Sequence, residues 1–433
     1  MSIDVRIDNA AYVLVTDASG AHMADVSIAI DGGFIVDIGQ GIDTPAETVI
    51  DARGCIVMPG LVNLHTHLAM TLLRGIAEDV DLQGFLERVW AEEARVMDAQ
   101  GVRIGTRLGA LESLLAGTTT TLDMYFHPEA AHESAVELGL RHVIGPVFFE
   151  GRGPDGLEWS ERMASARQWP QVLERIGGPF TPVSLMPHAA FTVGLERLRE
   201  ISDLATEIDA LIHVHASENT AENEQTVETV GMRPIPALSA AGILERQTVL
   251  AHAVRLDDHE RAVISRANIS VAHCPGSNLK LASGAADVVG YRKQGIRVGV
   301  GTDGCSSSND LDMFAAMRLT SNLARLHQHD PTALSARDAV LAATIEGARA
   351  LGMGERLGTV EVGKEADIVI IDLDAPHLIP VRDPYTSVVF SAGRSDVQHV
   401  VVGGEHVIAH RRSTRVHHRD VMDDAITRVK EPG

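Results

Sequence analysis

Cysteine is nearly missing from this chain of 433 residues, with only Cys55, Cys274 and Cys305 present. Three scattered thiols without CxxC spacing cannot form a disulfide framework, a structural zinc knot or a dithiol redox pair. No run of 18 apolar residues occurs, so no membrane-spanning helix is expected. Met1-Ser-Ile-Asp-Val-Arg6 has no basic segment leading into an apolar run, so export is not indicated and a cytoplasmic protein is expected. Positive charge is also short: 37 Lys and Arg against 59 Asp and Glu leave a net charge of −22. That balance disfavours nucleic-acid backbones and anionic membranes, which attract positive faces. Of the basic residues lysine is the scarcer, with four in the chain and none before Lys280. Low-complexity tracts are absent, and 45% hydrophobic with 22% charged residues describes an ordinary globular chain able to bury a large core.

What is there changes period along the chain. Residues 4–15, 26–30, 34–38 and 48–57 read as β structure, with Asp31-Gly32-Gly33 as a hairpin turn. Residues 366–372, 397–402 and 405–409 read the same way, around Gly403-Gly404. Two β-rich ends enclosing one central region suggest a small β-sandwich domain assembled from 1–57 and 358–433. Between them, short β-branched runs alternate with helical segments such as 101–116 and 196–206, the pattern of βα units. Candidate strands fall at 61–65, 118–123, 142–148, 182–186, 210–215, 248–252, 269–273 and 297–302. Eight such units over 58–357 predict an α/β fold with a TIM (β/α)8 barrel, whose chemistry would lie at the C-terminal strand ends.

The strand ends are rich in metal ligands. His65-Thr66-His67 closes the first, and a period of two puts both imidazoles on one face. His213-Val214-His215-Ala216-Ser217-Glu218 closes the fifth, His252 the sixth, His273 the seventh and Asp303 the eighth. One HxH among 20 histidines says little, but convergence from several strands needs a common cause. His65, His67, His215 and Asp303 supply three nitrogens and one oxygen. Such a set suits one divalent ion, zinc or ferrous iron, with a position left for water. Other motifs fail on context. Gly299–Gly304 fits GxGxxG, but a pyrophosphate there would face Asp303; the P-loop-like 358–364 segment is followed by Glu365 instead of Ser or Thr. HExxH is absent, and the cysteine positions rule out the PCxxC of the smaller zinc deaminases.

Pro59-Gly-Leu-Val-Asn-Leu-His-Thr-His67, Met70-Thr-Leu-Leu-Arg-Gly75, His215-Ala-Ser-Glu218, Val271-Ala-His-Cys-Pro-Gly-Ser-Asn-Leu-Lys-Leu281, Gly301-Thr-Asp-Gly304 and Asn309-Asp-Leu-Asp-Met313 resemble the metal-dependent amidohydrolase superfamily. Within it, the chain is most similar to the cytosine/adenosine-type deaminases and s-triazine hydrolases, above all the S-adenosylhomocysteine and 5'-methylthioadenosine deaminases. Binuclear members bridge two metals with a carboxylated lysine that precedes the strand-five ligands. With no lysine before position 280, a lysine-bridged pair is excluded and a single ion is expected.

The resemblance implies that Asp303 binds the metal and helps take the proton of its water, while His252 holds the attacking oxygen and stabilises the tetrahedral intermediate. Glu218 follows His215 by three residues, at the same strand end, placed to pass a proton to a ring nitrogen and then to the leaving amine. The expected reaction is hydrolytic deamination of an amino-substituted N-heterocycle, an adenine-type nucleoside or thioether nucleoside first. A free base or pterin, or an s-triazine losing chloride or alkylamine, stays open, and a barrel scaffold without catalysis is disfavoured by the full residue set. His188 resembles a substrate-contacting histidine. Gln83 and Phe85 occupy positions that resemble a Glu-x-Trp lid motif, whose glutamate holds ribose hydroxyls, and Arg152 stands in for an arginine carried by some of those deaminases. His273 is expected to be structural or second to the ligands, and Cys305 to line a pocket. The expected partners are a small heterocyclic substrate and further copies of the chain, with neither nucleic acid nor membrane.

Overall fold

The computed structural model describes residues 2–17, 20–80, 82–266 and 268–431; the side chains at 82, 83 and 86 lie outside the description. The two ends of the chain meet in antiparallel pairing. Cys55–Pro59 pairs with Ile368–Asp372, Val57 opposite Ile370, in a seven-stranded sheet that also holds Val397–Val402 and Glu405–Ala409. A second, four-stranded sheet contains Phe34–Gly39, Val26–Asp31, Ile3–Ala10 and Ala46–Asp51. The 48–57 segment, read as one strand, is two: its first part joins the four-stranded sheet and its second the seven-stranded one.

Period-two alternation explains how the sheets bury their faces. Ile368 and Ile370 join Val57 and Val401 in an apolar cluster with Val5, Ile7, Ile28 and Ile30 of the other sheet. Their neighbours Val369 and Ile371 point the opposite way, into the large cluster holding Leu111 and Leu114. Each such buried aliphatic side chain contributes about 1.5–3 kcal/mol. A buried ion cluster ties this region to the centre: Arg141 donates from Nε and Nη2 to Asp367 at 3.0 and 2.9 Å and from Nη2 to Glu365 at 2.7 Å.

The central strands are all parallel and buried on both faces, which requires helices on the outside. One ladder runs Arg141–Val143, Thr118–Asp123, Leu61–Thr66; the other runs Val147–Phe148, Ser184–Pro187, Leu211–Ala216, Thr248–His252, Ile269–His273, Arg297–Val300. The expected strand 142–148 is therefore split between ladders. Pro146 has no N–H to donate, and a Cβ at Gly145 would meet the Ser184 carbonyl oxygen at 1.8 Å, so only glycine allows that approach. At the other end, the backbone N–H groups of Thr302 and Asp303 both donate to the His65 carbonyl, at 3.1 and 2.9 Å, bringing the last strand beside the first. The helices between them include Ala99–Leu115, started by Asp98 capping the Gly101 N–H, and Leu195–Glu207.

Candidate active site

His65, His213, His215, His252 and Asp303 reach one place because parallel strands end on one side. The side chain of His213 donates from Nδ1 to the Val249 carbonyl (3.0 Å), so its Nε2 is an acceptor; His65 then donates from Nδ1 to it at 2.8 Å. This chain of bonds leaves the lone pair of His65 on Nε2, a buried atom with no hydrogen-bond partner. His67 donates from Nδ1 to the Met124 carbonyl (2.6 Å) and His215 from Nδ1 to the His188 carbonyl (2.8 Å). All three histidines therefore turn Nε2 toward one centre, each ring fixed by the bond at its other nitrogen.

Asp303 completes the set. Its Oδ1 lies 3.4 Å from His65 Nε2 and 3.2 Å from His67 Nε2, while Gly304 N–H (2.7 Å) and the Ser307 hydroxyl (2.9 Å) hold its two oxygens. The donor atoms of His65, His67 and Asp303 lie within 4.8 Å of one another, as do those of His65, His215 and His252. A buried, partnerless Nε2 beside a carboxylate and two further imidazoles fits a divalent cation. Electrostatics agree. Burial opposes charging His67, but the hydrogen bond and charge of Asp303 outweigh it and hold the imidazole up at about 9. Burial would likewise raise Asp303, yet the hydrogen bond from His67 and the neighbouring imidazoles of His65 and His252 keep it well below the usual carboxylate range. A cation entering here displaces the His67 proton. His215 is pushed well down by burial and by neighbouring histidines, so it is neutral and ready to ligate.

Glu218 stands across from this group without joining it. Its Oε2 lies 3.8 Å from His252 Nε2, which is 4.0 Å from Asp303 Oδ2, and its Oε1 accepts from the Ser283 hydroxyl at 3.2 Å. With the Asn278 amide donating to His252 Nδ1 (3.0 Å), the proton of that imidazole sits on Nε2, facing the gap. Ser217, His252 and Asp303 all adopt left-handed backbone conformations, φ 55, 71 and 64°. Such strain, costing about 1–3 kcal/mol per residue, gathers where the fold must aim a side chain.

The remaining expected residues are spread more widely. His188 is half-buried, its ring 4.9 Å from that of His215, and burial, with the charge of His67, pushes it down to about 4. Phe85, on the helix Leu82–Val96, packs among Leu72, Leu73 and Tyr125, while the side chain of Gln83 lies outside the described residues. Tyr125 donates to the buried Glu93 of that helix at 2.7 Å, tying it to the strand end beside His67. Arg152 is exposed and paired with Glu158 at 2.6 Å. His273 is buried with both nitrogens unpartnered, and burial pushes the Cys305 thiol up. The sequence reading assigned no role to His213, Asn278, Ser283 or Ser307. His213 shares the period-two signal of His65 and His67; the others become neighbours only through tertiary contact.

An amidohydrolase family model matches residues 56–407, and the chain belongs to that family. The chain is a hydrolase acting on C–N bonds. A 5-methylthioadenosine/S-adenosylhomocysteine deaminase of Syntrophobacter fumaroxidans is 36% identical over 422 residues, covering 95% of this chain and 94% of the relative. An adenosine deaminase from Xanthomonas campestris, solved with bound zinc, superposes with a TM-score of 0.93 at 31% identity, over 99% of this chain and 98% of that one. An atrazine chlorohydrolase from Arthrobacter aurescens complexed with zinc gives 0.89 at 26% identity, over 98% and 100%.

Proposed function

We propose that this chain is a mononuclear, metal-dependent aminohydrolase acting on an adenine-type nucleoside or thioether nucleoside and releasing ammonia. The observation that carries the reading is the carboxylate of Glu218, held 3.8 Å from His252 Nε2 beside the His65, His67, His215 and Asp303 group without belonging to it. The two relatives whose names give deaminases of adenine nucleosides support the substrate class. The strand order and the His65 carbonyl contacts support a (β/α)8 barrel over 58–357, with a β-sandwich from 1–57 and 358–433. No helix of the described residues is long and apolar enough to cross a membrane.

His65, His67, His215 and Asp303 would hold the ion, zinc or ferrous iron. When bound, it acidifies a water from pKa 15.7 toward roughly 7 and so supplies the nucleophile. Asp303 accepts the proton of that water on Oδ2, the oxygen nearer His252. The His252 Nε2–H donates to the oxygen that attacks, fixing its direction and stabilising the charge it leaves on the ring carbon's substituents. Glu218, protonated, delivers a proton to the ring nitrogen beside the reacting carbon. Without that proton an aromatic ring resists addition. The carboxylate so formed takes the hydroxyl proton of the addition product as that oxygen becomes a carbonyl and passes it to the amino group, which leaves as ammonia; the proton held by Asp303 then returns to Glu218. His188, whose ring neighbours that of His215, would meet the substrate, and Arg152 would have to release Glu158 to meet an anionic ligand.

The test is metal analysis of purified protein with an ammonia-release screen over nucleosides, thioether nucleosides, free purines, pterins, pyrimidines and amino-triazines. Turnover of adenine nucleosides above the other rings is expected, with about one ion per chain. No ammonia from any aminated ring by metal-loaded protein would sink the reading. Chloride or alkylamine release from triazines alone would replace it with the hydrolase alternative.

A further inference from the structure

Glu222 is a buried carboxylate, 7% exposed, with no salt bridge to any described Arg or Lys; the charges that bear on it are those of Glu218 and Glu260. Burying an acid beside acids is costly, so its two oxygens need strong partners. They have them in the backbone of the catalytic turn: Oε1 accepts from Ser217 N–H at 3.0 Å and Oε2 from Glu218 N–H at 2.5 Å. A helix-capping acid in the third position of Thr220–Val230 would reach back to the N–H of the cap residue, Asn219. Glu222 reaches further, to the two residues before it. Ser217 is left-handed (φ 55°), and its carbonyl accepts from the N–H groups of Val254 (3.0 Å) and Arg255 (2.8 Å), just beyond His252. The turn clamped by Glu222 is thus also bonded to the segment that carries His252.

We propose that Glu222 is a positioning residue: its carboxylate fixes the Ser217–Glu218 turn and thereby sets the placement of Glu218 opposite His252. This rests on the role proposed above for Glu218. Glu222→Gln keeps the size but turns an NH2 toward one of the two N–H donors. The expected result, in folded protein with unchanged metal content, is a fall in kcat of about 10–100-fold with KM within about 3-fold. Combined with Glu218→Gln, it should add less than about 3-fold, because it acts through that residue. Hydrogen exchange in the peptide spanning 216–221 should quicken at least ~10-fold, a readout that needs no turnover. Unchanged kcat, a full additive loss on top of Glu218→Gln, or unchanged exchange would overturn the proposal. So would loss of fold or metal in both Glu222→Gln and Glu222→Asp, which would make Glu222 a structural support. Wild-type protein that releases no ammonia while the exchange result holds would instead reject the function proposed for the site.

Discussion

Replacing Glu218 by glutamine tests the chemistry most directly, because the change is nearly isosteric and its surroundings tolerate it. Among the described residues the carboxylate accepts one hydrogen bond, from Ser283 at 3.2 Å to Oε1, which an amide oxygen also accepts. It belongs to neither donor group that could hold the metal. Glu218→Gln should therefore keep metal stoichiometry, and stability within about 0.5 kcal/mol, the usual range for a substitution that breaks no buried network. What it loses is proton transfer. General acid–base catalysis by one residue is worth roughly 10²–10⁴-fold, or about 2.7–5.5 kcal/mol at 1.36 kcal/mol per decade. The assay is steady-state ammonia release with metal content measured on the same sample. A kcat lower by at least ~100-fold with little change in KM is expected. A metal-loaded variant retaining kcat within about 3-fold would refute the assignment, and a raised KM with intact kcat would reduce Glu218 to a substrate contact.

Other expectations follow from the same contacts. His213→Phe removes the acceptor that fixes the His65 tautomer, so metal affinity should drop about 10–100-fold, read by competition with a chelating dye; unchanged affinity would dismiss the relay. Arg141→Met strips Asp367 of a buried counter-charge and should cost about 3–5 kcal/mol in urea unfolding; a loss below ~1 kcal/mol would show that Gly403 N–H and Thr120, the other neighbours of Asp367, suffice. His399 is pushed down to about 4, from 6.5, by burial and then by His406 and His410. The unfolded chain therefore binds this proton first, so its contribution to stability is complete above pH 6.5 and falls away as pH drops toward 4, by up to about 3 kcal/mol. Unfolding curves of wild type and His399→Asn should diverge in that window, and parallel curves would contradict the assignment.

Much of the architecture was legible because it rests on local patterns. The runs 118–123, 248–252, 269–273, 397–402 and 405–409 coincide with strands residue for residue, since β-branched stretches bounded by turn residues have few alternatives. The ladder break at Gly145-Pro146 escaped that reading, although proline was the clue. So did the division of 48–57 between two sheets: alternation shows that a segment has two faces but not which partner each face meets.

The sequence by itself determined which residues are candidate donors. His65 with His67, His215 and Asp303 stand at strand ends by spacing alone, and the lack of lysine before 280 removed the bridged two-metal alternative. It could not decide tautomers, orientations or distances, because these depend on groups far apart in the chain. His213 must meet His65 across 148 positions before Nε2 becomes the free nitrogen, and Ser283 must reach Glu218 across 65. Local spacing chooses which residues point inward; only the packed backbone, through carbonyls such as Val249, Met124 and His188, decides which atom of each faces the shared centre.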